Sequence, residues 1–266
     1  MEATPAASSL PLASILAQRD FSGVSWAFSE QPNMIHEISK WPAANPSDSI
    51  EIQVPTVYDI DSGKWGYQVT RDMEPVKWFK WLLLSDEDLA MEEISRSKQL
   101  REARNQLSNH PTQLTATHLV GRYLEKLWDH TCAMVKTMMP IDDFPLRVAI
   151  TIPANWPDYA QNAMREAAQL AGITTKRPIW ASTLDLVQES IAASLPIIQE
   201  HSLLAEVKPG ECFVVCDAGG GTVDVISFKS EVYGFFSKSL TGIRTLISNQ
   251  REQVKKETGK FPKVLL

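Results

Sequence analysis

The chain has little cysteine, little histidine, no long apolar run and no block of positive charge, and each shortage removes a class of function. Its cysteines are three, Cys132, Cys212 and Cys216. An odd number without paired spacing is not a disulfide framework and fits a reduced, intracellular protein. Cys212 and Cys216 flank Val214 in a β-rich run, where the spacing puts both on one side of a strand as small packing residues. The five histidines lie far apart without ligand-like partners, so the sequence offers no zinc site. No stretch reaches the ~18 consecutive apolar residues of a membrane span. Residues 1–18 carry no early positive charge, and Pro11 and Ser14 break the apolar stretch Leu10–Leu16. Residues 1–19 are therefore expected to be a loose tail and not a secretory signal. Lys and Arg are scattered and the net charge is −6. The basic patch that a nucleic-acid partner requires is missing.

What remains is an ordinary globular balance, 44% apolar and 22% charged over 266 residues, enough for a sizeable core in one large or two average domains. Residues 21–28 and 51–58 read as short strands separated by the turn-rich WPAANPSDS, and Asp61-Ser62-Gly63-Lys64 reads as a hairpin turn. Residues 86–108 read as helical, with Asp86 as the expected cap. A longer helix is expected over about 112–138, capped by Thr112, with Leu119, Tyr123, Leu127 and Met134 on its apolar stripe. Strand–helix alternation then begins. Arg147–Ile152 reads as a strand, Pro157–Ala171 as a helix closed by Gly172, and Thr183–Leu195 as a second helix. Cys212–Asp217 and Thr222–Phe228 read as strands, Ile243–Glu257 as a helix and Lys263–Leu266 as the start of a last strand. The pattern is that of an α/β sheet covered by helices. The last strand stops inside its apolar run, so the second half is expected to be incomplete, with an open edge that a protein partner would cover.

The segment with chemical character is Val214-Val215-Cys216-Asp217-Ala218-Gly219-Gly220-Gly221-Thr222-Val223-Asp224. Glycines let the backbone turn sharply and come close to an oxyanion, and successive N–H groups in such a turn form an anion-binding concavity. Asp217 stands where a strand-end carboxylate can orient a hydrated Mg²⁺, and the Thr222 hydroxyl adds a donor. Gly219, Gly220, Gly221 and Thr222 are thus the candidate phosphate contacts and Asp217 the candidate metal ligand. The other reading is a glycine-rich hairpin that holds nothing. No helix follows the glycines directly, which excludes the dinucleotide-binding fingerprint. No Gly-Lys-Ser/Thr follows either, which excludes a Walker loop.

These residues resemble the second phosphate loop of the heat shock protein 70 family, with Ala218 in place of the family's usual Leu. Val148-Ala149-Ile150-Thr151-Ile152-Pro153-Ala154-Asn155-Trp156, followed by the helix ending in Ala171-Gly172, resembles that family's strand–Pro–Ala–helix connector. FSGVSWAFSEQP and IHEISKWP resemble its divergent fungal branch. The resemblance implies an actin-like ATPase (ribonuclease H-like) fold of α/β class with an incomplete second lobe. It implies a first lobe at 20–200 with a small inserted subdomain at about 55–111, and a partial second lobe at 201–266 that carries the phosphate loop. It implies ATP and Mg²⁺ as ligands and a cytoplasmic setting. Glu189 falls where the family has a Glu that helps hold Mg²⁺ and water, although Ser190 replaces the following Pro. A Lys that assists hydrolysis falls near Lys77 or Lys80, with Lys80 preferred. The implied catalytic set is Glu189, Asp217 and Lys80.

The chain departs from the family in three places. Ala17-Gln18-Arg19-Asp20 stands where the family has its Gly-Thr-Thr first phosphate loop. The segment after about Ser239 resembles a much later part of the same lobe, so a nucleotide-covering subdomain is expected to be missing. The chain also ends before the family's glycine pair that contacts the nucleoside. The expected function is an ATP-binding, chaperone-type ATPase-domain protein with impaired or no hydrolysis. A non-catalytic remnant that acts as a binding or regulatory protein is the alternative, and a small-molecule kinase of the same superfold is a third.

Overall fold

The computed structural model describes residues 11–17, 20–29, 31–45, 50–91, 96–175, 182–193, 212–218 and 223–229. The chain divides into two compact units, Met1–Glu189 and Ser190–Leu266. The first unit opens with strands β1 (Pro11–Ala17), β2 (Phe21–Phe28) and β3 (Gln31–Glu37). Short strands β4 (Gln53–Pro55), β5 (Val57–Tyr58) and β6 (Val76–Lys77) follow. Helices α1 (Asp86–Met91), α2 (Lys98–Asn109) and α3 (Ala116–Lys136) come next, then β7 (Leu146–Ile152), helix α4 (Asp158–Leu170) and β8 (Ser182–Gln188).

Six strands form one sheet in the order β3-β2-β1-β7-β8, with β4 also paired to β2. β1 is antiparallel to β2 but parallel to β7, and β7 is parallel to β8. This mixed order corrects the reading of the N-terminal stretch. Residues 11–17 are not a loose tail but the middle strand of the sheet. Pro11 is tolerated because it is the first residue of the strand, and Ile15 is fully buried opposite Val24 on one side and Ile150 on the other.

The segment read as a helix at Thr183–Leu195 is likewise corrected in its first part, because 182–188 is β8, while residues 189–193 are helical. Leu184 and Leu186 alternate with Thr183 and Asp185, a period of two. Arg147 Nε also donates to Asp185 Oδ2 at 2.7 Å across the β7–β8 pair. β7 itself is apolar at nearly every position, as a strand covered on both faces should be.

Two caps differ from expectation. α3 is capped by Thr115, whose hydroxyl accepts from the His118 N–H, and not by Thr112. At α1 the Ser85 hydroxyl accepts from the Asp88 N–H, and Asp86 lies inside the first turn. The end of α4 follows the sequence reading. Gly172 adopts φ 77°, the Ile173 N–H reaches the Ala168 carbonyl and the Gly172 N–H reaches that of Gln169. That is a Schellman closure, and it buries Ile173 completely.

In the second unit, β9 (Cys212–Ala218) and β10 (Val223–Lys229) form an antiparallel pair. The helix expected at 243–257 and the strand expected at 263–266 lie outside the described residues.

α3 and α4 pack closely because Gly121 has no side chain. A Cβ there would lie 3.1 Å from Leu170 Cβ and 3.2 Å from the Ala167 carbonyl oxygen. Gly121→Val is expected to wedge the helices apart and cost about 1–3 kcal/mol. Urea unfolding of the two proteins measures this as a lower midpoint at unchanged slope.

Candidate functional site

The parallel strands β1, β7 and β8 all end at the same edge of the sheet. In open α/β sheets ligands bind beyond the carboxyl ends of such strands. Here that edge gathers the residues that follow β8 and β7, together with Asp20 just ahead of β2. Glu189 comes immediately after β8, where the backbone turns helical. Thr151 lies near the end of β7, and the connector Pro153–Trp156 follows it.

The lysine comes from elsewhere, on a 3-10 turn, Phe79–Leu83. Aromatic side chains hold this turn on two sides. The Phe79 ring lies 5.2 Å from that of Tyr123 on α3, and the Trp81 ring 6.5 Å from that of Trp156. Lys80 is thereby carried inward and is only 5% exposed. Its Nζ donates to Glu189 Oε1 at 2.7 Å and to the Thr151 carbonyl at 3.3 Å. The ammonium also sits 5.5 Å from the centre of the Trp156 ring, a cation–π distance. Trp156 Nε1 and Thr151 Oγ1 are buried without a hydrogen-bond partner. A buried indole N–H normally finds an acceptor, so this corner has donor capacity to spare.

The structure therefore joins two of the residues that the sequence nominated, Lys80 and Glu189. Of the two lysines, Lys80 meets Glu189, whereas Lys77 is exposed on β6. Asp217 is on β9, in register with Asp224 on β10. Gly219, Gly220, Gly221 and Thr222 lie outside the described residues. Sequence reasoning missed Asp20, Trp78 and Trp156. Trp156 was visible in the connector, but only packing shows its ring against Lys80.

The donor set suits a magnesium–phosphate ligand. Among the described residues no three His, Cys, Asp or Glu side chains converge into a metal cage. Mg²⁺ does not need one, since it keeps several waters and is held through one or two carboxylates and the phosphates themselves. Glu189 supplies such a carboxylate and Lys80 a point charge for phosphate.

No protein-family model matches the chain. It is 22% identical over 266 aligned positions to human heat shock 70 kDa protein 12B, an alignment that covers 79% of this chain and 38% of that protein. It is 21% identical over 262 positions to mouse heat shock 70 kDa protein 12A, with 77% of this chain and 38% of that protein covered. The chain is thus similar, at low identity, to heat shock 70 kDa proteins, and its described residues form a mixed α/β sheet. Among solved structures it is similar to MreB5 of Spiroplasma citri bound to ADP, at 14% identity and a TM-score of 0.41, over 83% of this chain and 49% of that one. The heat-shock-70-like chain thus spans under two-fifths of the length of these two curated relatives. No helix among its described residues is long and apolar enough to cross a membrane.

Removing Glu189 from this corner would strand a buried ammonium, at a cost of about 3–5 kcal/mol. Glu189→Ala is therefore expected to lower stability by that order in urea unfolding. Joint replacement by Lys80→Met and Glu189→Leu is expected to recover most of the loss, because two well-packed apolar side chains need no counter-charge.

Proposed function

We propose that this heat-shock-70-like chain binds magnesium–ATP at the carboxyl end of β1, β7 and β8 and hydrolyses it poorly or not at all. The observation that carries the reading is the buried Lys80–Glu189 pair. Such a pair gives little net stability, since an apolar pair of similar volume does as well or better. Charges kept at that cost, at the sheet edge where ligands bind, point to a site.

Mg²⁺, when bound, would supply positive charge that neutralises the phosphates. The residues of this chain do the rest. Glu189 would help hold the hydrated Mg²⁺, and Lys80 would donate a hydrogen bond to a phosphate oxygen. Trp156 shields the ammonium from bulk water on one side. On the second unit, Asp217 is proposed as a metal ligand and Gly219, Gly220, Gly221 and Thr222 as phosphate donors of their own loop.

Weak turnover follows from the first hairpin. Phosphoryl transfer depends almost wholly on positioning and on charge stabilisation along the transferring group. Ala17-Gln18-Arg19-Asp20 offers no glycine to bring backbone donors close to the phosphates. A few remaining donors, each worth about 0.5–1.5 kcal/mol net, can reach the roughly −4.1 kcal/mol of millimolar binding without orienting an attacking water.

Calorimetric titration of ATP with Mg²⁺ into the folded chain is expected to give a dissociation constant near the millimolar range, with phosphate release at background. Lys80→Met should weaken binding about tenfold, the equivalent of 1.4 kcal/mol. Metal-free ATP should bind more weakly than the magnesium complex, and Glu189→Gln should narrow that gap by removing a repelling carboxylate. No heat up to several millimolar, from protein that melts cooperatively, would sink the proposal. It would favour the reading of a non-catalytic binding or regulatory protein.

A further inference from the structure

Trp78, two residues ahead of Lys80, has φ 58° and ψ 17°. That left-handed conformation is an outlier for a bulky side chain and persists only where surrounding structure imposes it. Trp78 leads into the 3-10 turn, and its carbonyl accepts from the Trp81 N–H at 3.1 Å. Its indole Nε1–H donates to Asp20 Oδ1 at 2.8 Å, across 58 residues of sequence. Asp20 is itself fixed. Its carbonyl accepts from the Thr56 N–H at 2.8 Å, and the hydroxyls of Thr56 and Ser22 meet at 2.8 Å in a buried contact.

We infer that Asp20 and Trp78 form a latch that positions Lys80. The bond is charge-assisted, since a carboxylate accepts from a neutral donor. It holds the strained residue that aims the 3-10 turn inward. When it is released, Trp78 relaxes toward an ordinary backbone conformation, the turn loosens and the Lys80 ammonium regains water. Asp20 and Trp78 are positioning residues, acting on the ligand only through Lys80.

The inference rests on the Lys80 site proposed above, but its test needs no nucleotide. The ligand-free chain is reductively methylated with formaldehyde and cyanoborohydride, and the rate at each lysine is read by mass spectrometry. Lys98 on α2, open to water, is the internal standard. Lys80 is expected to react far more slowly than Lys98 in the parent protein. Asp20→Ala and Trp78→Phe, the latter keeping an aromatic ring but losing the donor, should each raise the Lys80 rate several-fold with Lys98 unchanged and the melt still cooperative. Asp20→Asn, which keeps an acceptor oxygen, should restore protection. Unchanged Lys80 protection in the folded Asp20→Ala or Trp78→Phe protein overturns the latch, as does a uniform rise at every lysine. If the latch variants behave as expected while ATP gives no heat, the latch stands and the nucleotide proposal falls. The reverse pattern separates them the other way.

Discussion

A lysine ammonium taken out of water has to be answered within hydrogen-bond reach, and the heat-shock-70-like unit is arranged around that requirement. An isolated buried charge of this kind would lose its proton or force the site open. Lys80 keeps its place because Glu189 lies 2.7 Å away, the Thr151 carbonyl 3.3 Å away and the Trp156 ring beneath it. These three partners come from the end of β8, the end of β7 and the connector after β7. Glu189 joins the other two only because β7 and β8 are parallel and in register, Ile152 beside Gln188. The register of the sheet and the burial of the lysine are thus one condition seen from two sides.

The aromatic residues explain why the 3-10 turn does not simply swing outward. Phe79 is packed on Tyr123, which in turn meets Trp65 edge-on at 5.9 Å. Tyr123 is buried deeply enough that its hydroxyl is pushed up to about 12, desolvation outweighing its hydrogen bonds to Ser22 and Thr56. It therefore stays neutral across ordinary pH and serves as a wedge between α3, β2 and the turn. On the other side Trp81 meets Trp156. The turn is held by large flat surfaces at both ends and by one strained residue at its entry. Its fixed geometry comes from packing rather than from regular backbone hydrogen bonding.

How much of this the sequence disclosed varies with how local the signal was. The helix end at Gly172 was legible because a left-handed closure has its own chemistry in a few adjacent residues. β2 and β7 were legible from their apolar runs. The strand at residues 11–17 was not, because Pro11 and Ser14 look like loop residues, and only pairing to β2 and β7 makes the segment a strand. β8 was misread for the same reason. Its period of two is short, and the decisive term is the parallel partner β7, which lies far away in sequence. In the site, Glu189 and Lys80 were nominated by resemblance, yet their meeting across 109 residues had no local signature at all. Asp20 was passed over because it was seen only as a position where glycine was missing.

That last misreading bears on how the site works. A glycine-rich hairpin end and a carboxylate latch are competing solutions to one problem, the closing of the space between β1, β2 and the lysine turn. The glycine solution leaves backbone donors free to approach an oxyanion and lets the ligand complete the structure. The Asp20 solution completes the structure without a ligand, since the indole of Trp78 takes the acceptor and Thr56 takes the carbonyl. Preorganisation of this kind favours a corner that stays assembled at rest. A lysine kept buried by an internal carboxylate therefore needs no ligand to hold its pose.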